Sequence, residues 1–217
     1  GFILISSCNR NRFETRTVVD ENGYTYEMVT NDPTDTRLYT LPNGLKVYLS
    51  LNKDEPRIMT NISVRSGSLN DPAETTGLAH YFEHLLFKGT DEFGTSDWSQ
   101  EKIYIDSISD LFEKHRNAAT KEEKLDIYKE IDRLSTKASQ FAIPNEYDRL
   151  TSAIGAASST AFTNYETTTY INEIPSNELK RWLAMEKERF SDPVLRLFHT
   201  ELETVYEEYN MYQDMDK

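Results

Sequence analysis

The pentad His80-Tyr81-Phe82-Glu83-His84 constrains this chain more than any other feature of the sequence. On an α-helix, residues four apart lie on one face, so both imidazoles point the same way and suit one metal ion. Neutral imidazole is a preferred ligand of Zn²⁺. Glu83 lies beside that face, where a carboxylate can take a proton from a water at the metal. The spacing therefore predicts one zinc ion held by His80 and His84, with Glu83 as the catalytic base.

The pentad alone does not decide the matter. In a chain with 4 His, an H-x-x-E-H match arises by chance at roughly the one-per-cent level. The alternative is an amphipathic helix whose two histidines are satisfied by hydrogen bonds in the core. His115 and His199 have no partner at metal-ligand spacing, and we expect neither to be a ligand.

The residues around the pentad favour the metal site. Residues 77–90 read GLAHYFEHLLFKGT and closely resemble the catalytic helix of the pitrilysin family of inverzincin peptidases. That family includes insulin-degrading enzyme, the mitochondrial processing peptidases and bacterial relatives. Residues 67–72 resemble the loop that precedes this helix. The resemblance runs from about Thr36 to the end of the chain, is interrupted by a helical segment, and is closest to bacterial members that carry such an insert.

The resemblance implies a third metal ligand, a Glu on a later helix, with another important Glu seven residues before it. Residues 201–214 resemble that segment, and the family register places the ligand at Glu208 and its partner at Glu201. Two helical turns separate them, so they share a face. Glu201 is then expected to orient a ligand or to shape the charge of the site. On sequence alone Glu203 and Glu207 remain alternative metal ligands. The other interpretation is that they form a solvated acidic face.

A substrate-binding strand is implied in the same way. Thr160, Ala161, Phe162 and Thr163 resemble the family's edge strand beside the metal. A peptide that adds to such an edge is held by backbone hydrogen bonds. The family often has Asn where Thr160 stands, so this contact departs from its pattern.

The expected fold class is α+β, an antiparallel sheet covered by helices with a helical-hairpin insertion. Residues 1–34 are expected to hold a truncated signal with a lipobox-like Cys8, followed by a polar linker. Residues 35–217 are expected to form an N-terminal peptidase domain, incomplete at its C-terminus, with the helical insert at 97–150. The predicted strands are a hairpin over 37–51, a third strand over 57–65 and a strand over 158–171. The predicted helices run from Thr75 or Thr76 to about Lys88, through the insert as a pair broken at 118–120, from Ser176 to Phe190, and from Asp192 towards Met211.

Charge and hydropathy exclude some classes of function. The formal net charge is −13 and no basic stripe occurs, whereas nucleic-acid binding needs clustered Lys and Arg. No apolar stretch reaches the roughly 18 residues that a membrane span needs. We expect a bacterial periplasmic or cell-envelope protein tethered through a lipid on Cys8; the alternative is a frayed terminus with a free thiol.

The predicted function is a zinc-dependent endopeptidase that acts on oligopeptides or unfolded protein segments, with one Zn²⁺ per catalytic domain. Manganese and cobalt are not excluded by the ligand types. The resemblance implies a homologous second half, or a partner subunit, that completes a clamshell, so we expect this chain alone to bind zinc weakly and cleave little. The alternatives are a non-catalytic peptidase-like binding or assembly subunit and a lipoprotein binding module whose motif is accidental.

Overall fold

The computed structural model describes residues 13–215 and the side chains of residues 13–211. The chain divides into two compact units, Gly1–Pro56 and Arg57–Lys217. The start of a peptidase domain at residue 35 stays a prediction. Cys8 and the lipobox-like pattern lie outside the described residues. Among the described helices, none is long and apolar enough to cross a membrane.

The first unit contains an antiparallel sheet of four strands in the order β1-β2-β3-β4. The strands are β1 (Thr15–Val19), β2 (Thr25–Val29), β3 (Arg37–Thr40) and β4 (Lys46–Leu49). The hairpin predicted over 37–51 is present as β3 and β4, which pair from Arg37↔Leu49 to Thr40↔Lys46.

The prediction of a polar linker is wrong for residues 15–29, which form the hairpin of β1 and β2. The polar residues between these strands belong to its turn. The carboxylate of Asp20 accepts hydrogen bonds from the backbone N–H groups of Asn22 and Tyr24, each at 2.9 Å. Gly23 adopts φ +87°, a conformation that glycine reaches without strain. A cluster of turn residues therefore looked like a linker in the sequence.

The second unit contains a separate antiparallel sheet of β5 (Arg57–Val64), β6 (Ser158–Thr163) and β7 (Thr168–Pro175), in the order β5-β7-β6. The single strand predicted over 158–171 is two strands joined by a tight turn. The Asn164 side chain makes this turn by accepting the backbone N–H groups of Glu166 and Thr167, both at 2.8 Å. β6 is thereby placed at an edge of the sheet.

Six α-helices lie among the described residues, beside two short 3₁₀ turns at Ser68–Asn70 and Ser176–Glu178. They are α1 (Leu78–Leu85), α2 (Trp98–Asn117), α3 (Lys121–Ala138), α4 (Glu146–Ala153), α5 (Leu179–Ser191) and α6 (Phe198–Met215). Together with the antiparallel strands they confirm the α+β class. The two helices predicted on either side of residues 118–120 are α2 and α3, whereas α4 was not predicted. That α2 and α3 form an insertion relative to the family stays a prediction.

The start of α1 is fixed by a residue outside the predicted cap. Neither Thr75 nor Thr76 begins the helix; the Asp71 carboxylate accepts the N–H groups of Gly77 at 2.7 Å and Ala79 at 2.8 Å. A carboxylate satisfies free N–H groups and complements the positive end of the helix dipole. α6 also begins later than predicted, at Phe198 rather than at Asp192.

The core beside α1 contains a fully buried arginine. Arg189 is 0% exposed and forms an ion pair with Glu186 on the same helix, which is itself buried. Its guanidinium lies within 4.3–5.2 Å of the centroids of four aromatic rings, those of Phe87, Tyr147, Tyr170 and Phe190. The charge is therefore compensated by one carboxylate and by the faces of surrounding rings.

Candidate metal centre

Three side chains converge between α1 and α6. His80 Nε2 and His84 Nε2 lie 3.2 Å apart, and Glu208 Oε2 lies 3.5 Å from the first and 3.6 Å from the second. The two histidines are adjacent because they are one helical turn apart on α1. Glu208 reaches them from the far part of α6. Of the described residues, these three form the group of His, Cys, Asp or Glu side chains that could hold a metal ion.

The triangle has the size that tetrahedral zinc requires. Two ligand atoms, each about 2.05 Å from a metal at the tetrahedral angle, lie about 3.3 Å apart. The observed edges of 3.2, 3.5 and 3.6 Å agree with this spacing. Two imidazoles and one carboxylate are also a ligand set found in catalytic zinc sites, which leave one position open. The residues present therefore fit a zinc ion.

Glu201 contacts His84 at Nδ1, the ring nitrogen that does not belong to the triangle. Its Oε2 lies 3.3 Å from His84 Nδ1, and its Oε1 lies 2.5 Å from the ammonium of Lys88. A hydrogen bond at Nδ1 leaves Nε2 of His84 unprotonated and directed at the metal position. The structure thus brings Glu201 to the place where a carboxylate can orient a ligand.

The electrostatics agree with this arrangement. The hydrogen bond to Glu201 is the largest cause of a raised pKa at His84; burial opposes it, and the charges of Glu208 and Glu83 add to it. Burial of the Glu201 carboxylate acts to raise its pKa, but the hydrogen bonds from His84 and Lys88 outweigh burial and lower the pKa. Each group of this pair therefore favours the charged form of the other.

Glu83 is buried, at 6% exposure, and one of its oxygens has a fixed partner. The hydroxyl of Thr163 donates to Glu83 Oε2 at 2.5 Å. The Thr163 oxygen also lies 3.1 Å from the hydroxyl of Thr168, which donates to the carbonyl of Ser66. The hydrogen bond from Thr163 therefore holds the Glu83 carboxylate in one orientation.

The predicted substrate strand has two different roles within it. Thr160 and Phe162 expose their side chains, and Ala161 is half-buried. The side chain of Thr163 contacts Glu83, and the role of this strand in substrate binding stays a prediction. The backbone N–H of Asn164 donates to the carbonyl of Thr167, and hydrogen-bonded pairs alternate along an antiparallel ladder. The backbone N–H and C=O groups of Ala161 and Thr163 therefore point away from β7. That side of β6 has no neighbour among the described strands.

The structure separates the candidates that the sequence left open. Glu203 and Glu207 are exposed and lie outside the group of three, whereas Glu208 lies within it. His199 packs on the ring of Phe198, 4.2 Å between centroids, away from that group. The contact of Thr163 with Glu83 had no signal in the sequence, because it joins residues 80 positions apart.

The position of α6 relative to α1 also depends on Tyr81. Its hydroxyl donates to the backbone carbonyl of Phe198 at 2.6 Å. Burial, together with the charge of Glu201, raises the pKa of Tyr81 to about 12. The hydroxyl therefore stays protonated and remains a donor at physiological pH, which keeps the first residue of α6 against α1.

The order H-x-x-E-H on α1 is the order of metal-binding motifs in inverzincin peptidases. Residues 46–129 match the family model "Insulinase (Peptidase family M16)", which confirms the resemblance to the pitrilysin family over this part of the chain. That family is one of zinc metallopeptidases.

Two curated relatives are similar in sequence to part of this chain. Human insulin-degrading enzyme is 38% identical over 68 residues, which cover 30% of this chain and 7% of that protein. Protease 3 of Salmonella typhimurium is 29% identical over 136 residues, 60% of this chain and 12% of that protein. The crystal structure of a protease from Helicobacter pylori covers 94% of this chain and 32% of its own, with 18% identity and a TM-score of 0.49. The chain spans 17% or less of the first curated relatives that it matches.

Proposed function

We propose that this chain carries the metal-binding and base-bearing part of a zinc-dependent endopeptidase that cleaves oligopeptides or unfolded protein segments. The observation that carries the proposal is the triangle of His80 Nε2, His84 Nε2 and Glu208 Oε2, with edges of 3.2, 3.5 and 3.6 Å. His80, His84 and Glu208 would hold one Zn²⁺. When bound in such a site, zinc acidifies a water and polarises a carbonyl.

Glu83 is the group that moves the proton. Its Oε2 is occupied by the hydroxyl of Thr163, so Oε1 is the oxygen that takes the proton from the attacking water. The same carboxyl then delivers that proton to the departing amine. Burial of Glu83 supports this role, because a carboxylate shielded from solvent does not exchange its proton freely with bulk water.

The free side of β6 supports the substrate class. A peptide that lies along it would bond the backbone groups of Ala161 and Thr163, whatever its side chains. A preference for extended, unfolded segments follows, because folded proteins rarely offer a free strand. The names of the human and Salmonella relatives, an insulin-degrading enzyme and a protease, are consistent with peptide hydrolysis.

The rest of the assembly is part of the same proposal. A homologous second half, or a partner subunit, would close over the site and complete the substrate contacts. A lipid on Cys8 would tether the protein at a bacterial cell envelope or in the periplasm. The direct test of the tether is metabolic labelling with a fatty-acid analogue, which is expected to label the natural protein and not its Cys8→Ser variant.

Hydrolysis of a quenched-fluorescent peptide library by the natural full-length protein tests the proposed chemistry. Glu83→Gln keeps the shape of the side chain and removes the base, so the rate is expected to fall by about 10²–10⁴ while zinc content is kept. Glu207→Gln is the matched control, since it removes an exposed carboxylate from α6. Equal rates for native protein and Glu83→Gln would refute the proposal. Bound zinc without hydrolysis would instead favour a non-catalytic binding subunit.

A further inference from the structure

We propose that the helical hairpin of α2 and α3 positions the third metal ligand: it holds the start of α6 and thereby sets where Glu208 lies. This inference rests on the proposed metal centre. No motif within the hairpin indicates a function, and none of its side chains belongs to the group of His80, His84 and Glu208. Its contacts with the start of α6 assign the role.

The first contact is a buried ion pair. Arg196, at 1% exposure, directs its Nε to one carboxylate oxygen of Glu101 at 2.9 Å and its Nη2 to the other at 3.1 Å. Glu101 belongs to the first turn of α2 and is fully buried. A two-point Arg–carboxylate pair fixes orientation as well as distance. Arg196 lies two residues before α6, so α2 sets the direction from which α6 begins.

The same guanidinium also contacts the loop that follows α1. It donates to the backbone carbonyls of Lys88 at 2.8 Å, Thr90 at 2.7 Å and Phe93 at 3.3 Å. This loop is compact: Gly89 and Gly94 both have positive φ, and a Cβ on either would lie under 3 Å from an atom of Arg196. The Arg196 side chain therefore links the loop after α1, helix α2 and the segment that leads into α6. α1 and α6 carry the predicted metal ligands, and α2 belongs to the hairpin.

The second contact is aromatic. Phe198, the first residue of α6, packs against the core of the hairpin, which contains Ile108 and Ile131. The ring of Phe112 in α2 lies 5.6 Å from that of Phe198 and 6.1 Å from that of His199, and Tyr128 in α3 lies 5.7 Å from His199. Both helices of the hairpin therefore pack against the first turn of α6.

Geometry makes the start of α6 decisive for the ligand. Glu208 lies ten residues after Phe198, or about 15 Å along a helix. A tilt of about 5° at the start would displace Glu208 by about 1.3 Å, whereas metal–ligand distances tolerate only about 0.2 Å. Glu201 limits such a tilt through His84 and Lys88, and the hairpin limits it from the other side.

Zinc affinity of the full chain, measured by competition with a chromophoric chelator, tests the inference without any need for activity. Phe112→Leu and Glu101→Gln are expected to weaken zinc binding by about tenfold, the lower end of the range for residues that orient ligands. Tyr104→Leu is the matched control, since it removes a ring of the same hairpin that stacks on Phe141. It is expected to change the affinity less than twofold. Phe112→Leu, the milder change, decides the test if Glu101→Gln does not fold.

A double-mutant cycle separates positioning from general destabilisation. If the hairpin acts through Glu208, Phe112→Leu will weaken zinc binding in the native chain and not further in Glu208→Gln. The Co²⁺ spectrum of Phe112→Leu is then expected to shift towards that of Glu208→Gln. Additive losses, or an unchanged affinity in Phe112→Leu, would overturn the hairpin's role alone. No effect of Glu208→Gln would overturn the metal centre as well.

Discussion

Replacing Glu201 by Gln tests how much the carboxylate behind the metal ligand contributes. The substitution keeps size and one acceptor oxygen but removes the charge 3.3 Å from His84 Nδ1 and 2.5 Å from Lys88 Nζ. Glu201 is 8% exposed, so water cannot readily replace it. We expect the zinc affinity to fall because His84 is no longer held in the tautomer that binds through Nε2.

The expected loss of zinc affinity is worked out from the loss of the negative charge of Glu201, because Gln can still accept one hydrogen bond. Hydrogen bonds to charged groups contribute about 1.5–3 kcal/mol and neutral ones about 1 kcal/mol, so the difference is about 0.5–2 kcal/mol. At about 1.4 kcal/mol per factor of ten, the zinc dissociation constant is expected to rise about tenfold.

Glu203→Gln is the matched control, because it removes the same charge from an exposed position of α6. Both variants are measured by chelator competition at neutral pH, where the control is expected to bind zinc like the native chain. The same loss in both variants would show that only net charge matters. An unchanged affinity in Glu201→Gln would refute the orienting role.

Three further perturbations have defined outcomes. Arg189→Met leaves the buried carboxylate of Glu186 without its cationic partner and is expected to lower the free energy of unfolding in urea by about 3–5 kcal/mol. Arg181→Met removes an exposed guanidinium from its pair with Glu178 and is expected to cost less than about 1 kcal/mol. Burial lowers the pKa of His199, so the contribution of the neutral imidazole to stability is complete above the unfolded pKa of about 6.5 and is lost as pH falls through the lower folded pKa. His199→Phe is therefore expected to flatten the fall in the free energy of unfolding between pH 7 and 5. An unchanged slope would contradict this. Thr163→Val is expected to lower kcat about tenfold or more with zinc affinity unchanged, and Thr163→Ser to restore it; a normal kcat in Thr163→Val would show that Glu83 needs no such hydrogen bond.

Local patterns in the sequence predicted the parts of the site that lie within one helix or repeat a family register. Helical periodicity groups His80, Glu83 and His84 on one short helix. The positions of Glu201 and Glu208 came from the resemblance to the family, because Glu203 and Glu207 were equally open on sequence alone. The helical hairpin was likewise visible from its apolar spacing and the break at 118–120. The antiparallel α+β class followed from the alternation of short strands and helices.

Contacts between distant residues could not be predicted in this way. The pairing of Arg196 with Glu101 joins residues 95 positions apart, and that of Thr163 with Glu83 joins residues 80 positions apart. Neither pair has a local signal. Turn chemistry was the other source of error: Asp20 and Asn164 each close a hairpin through side-chain hydrogen bonds, and both regions looked like something other than two paired strands.

The metal content of the chain tests the central claim most directly. In equilibrium dialysis against excess zinc, elemental analysis is expected to find one zinc bound per native chain above the zinc of the buffer. It is expected to find a greatly reduced content in Glu208→Gln and a native content in Glu207→Gln. The two variants differ by one position on α6, and only Glu208 lies within the group of three ligands. Equal zinc content in all three proteins, or none in the native chain at saturating zinc, would contradict the proposed centre.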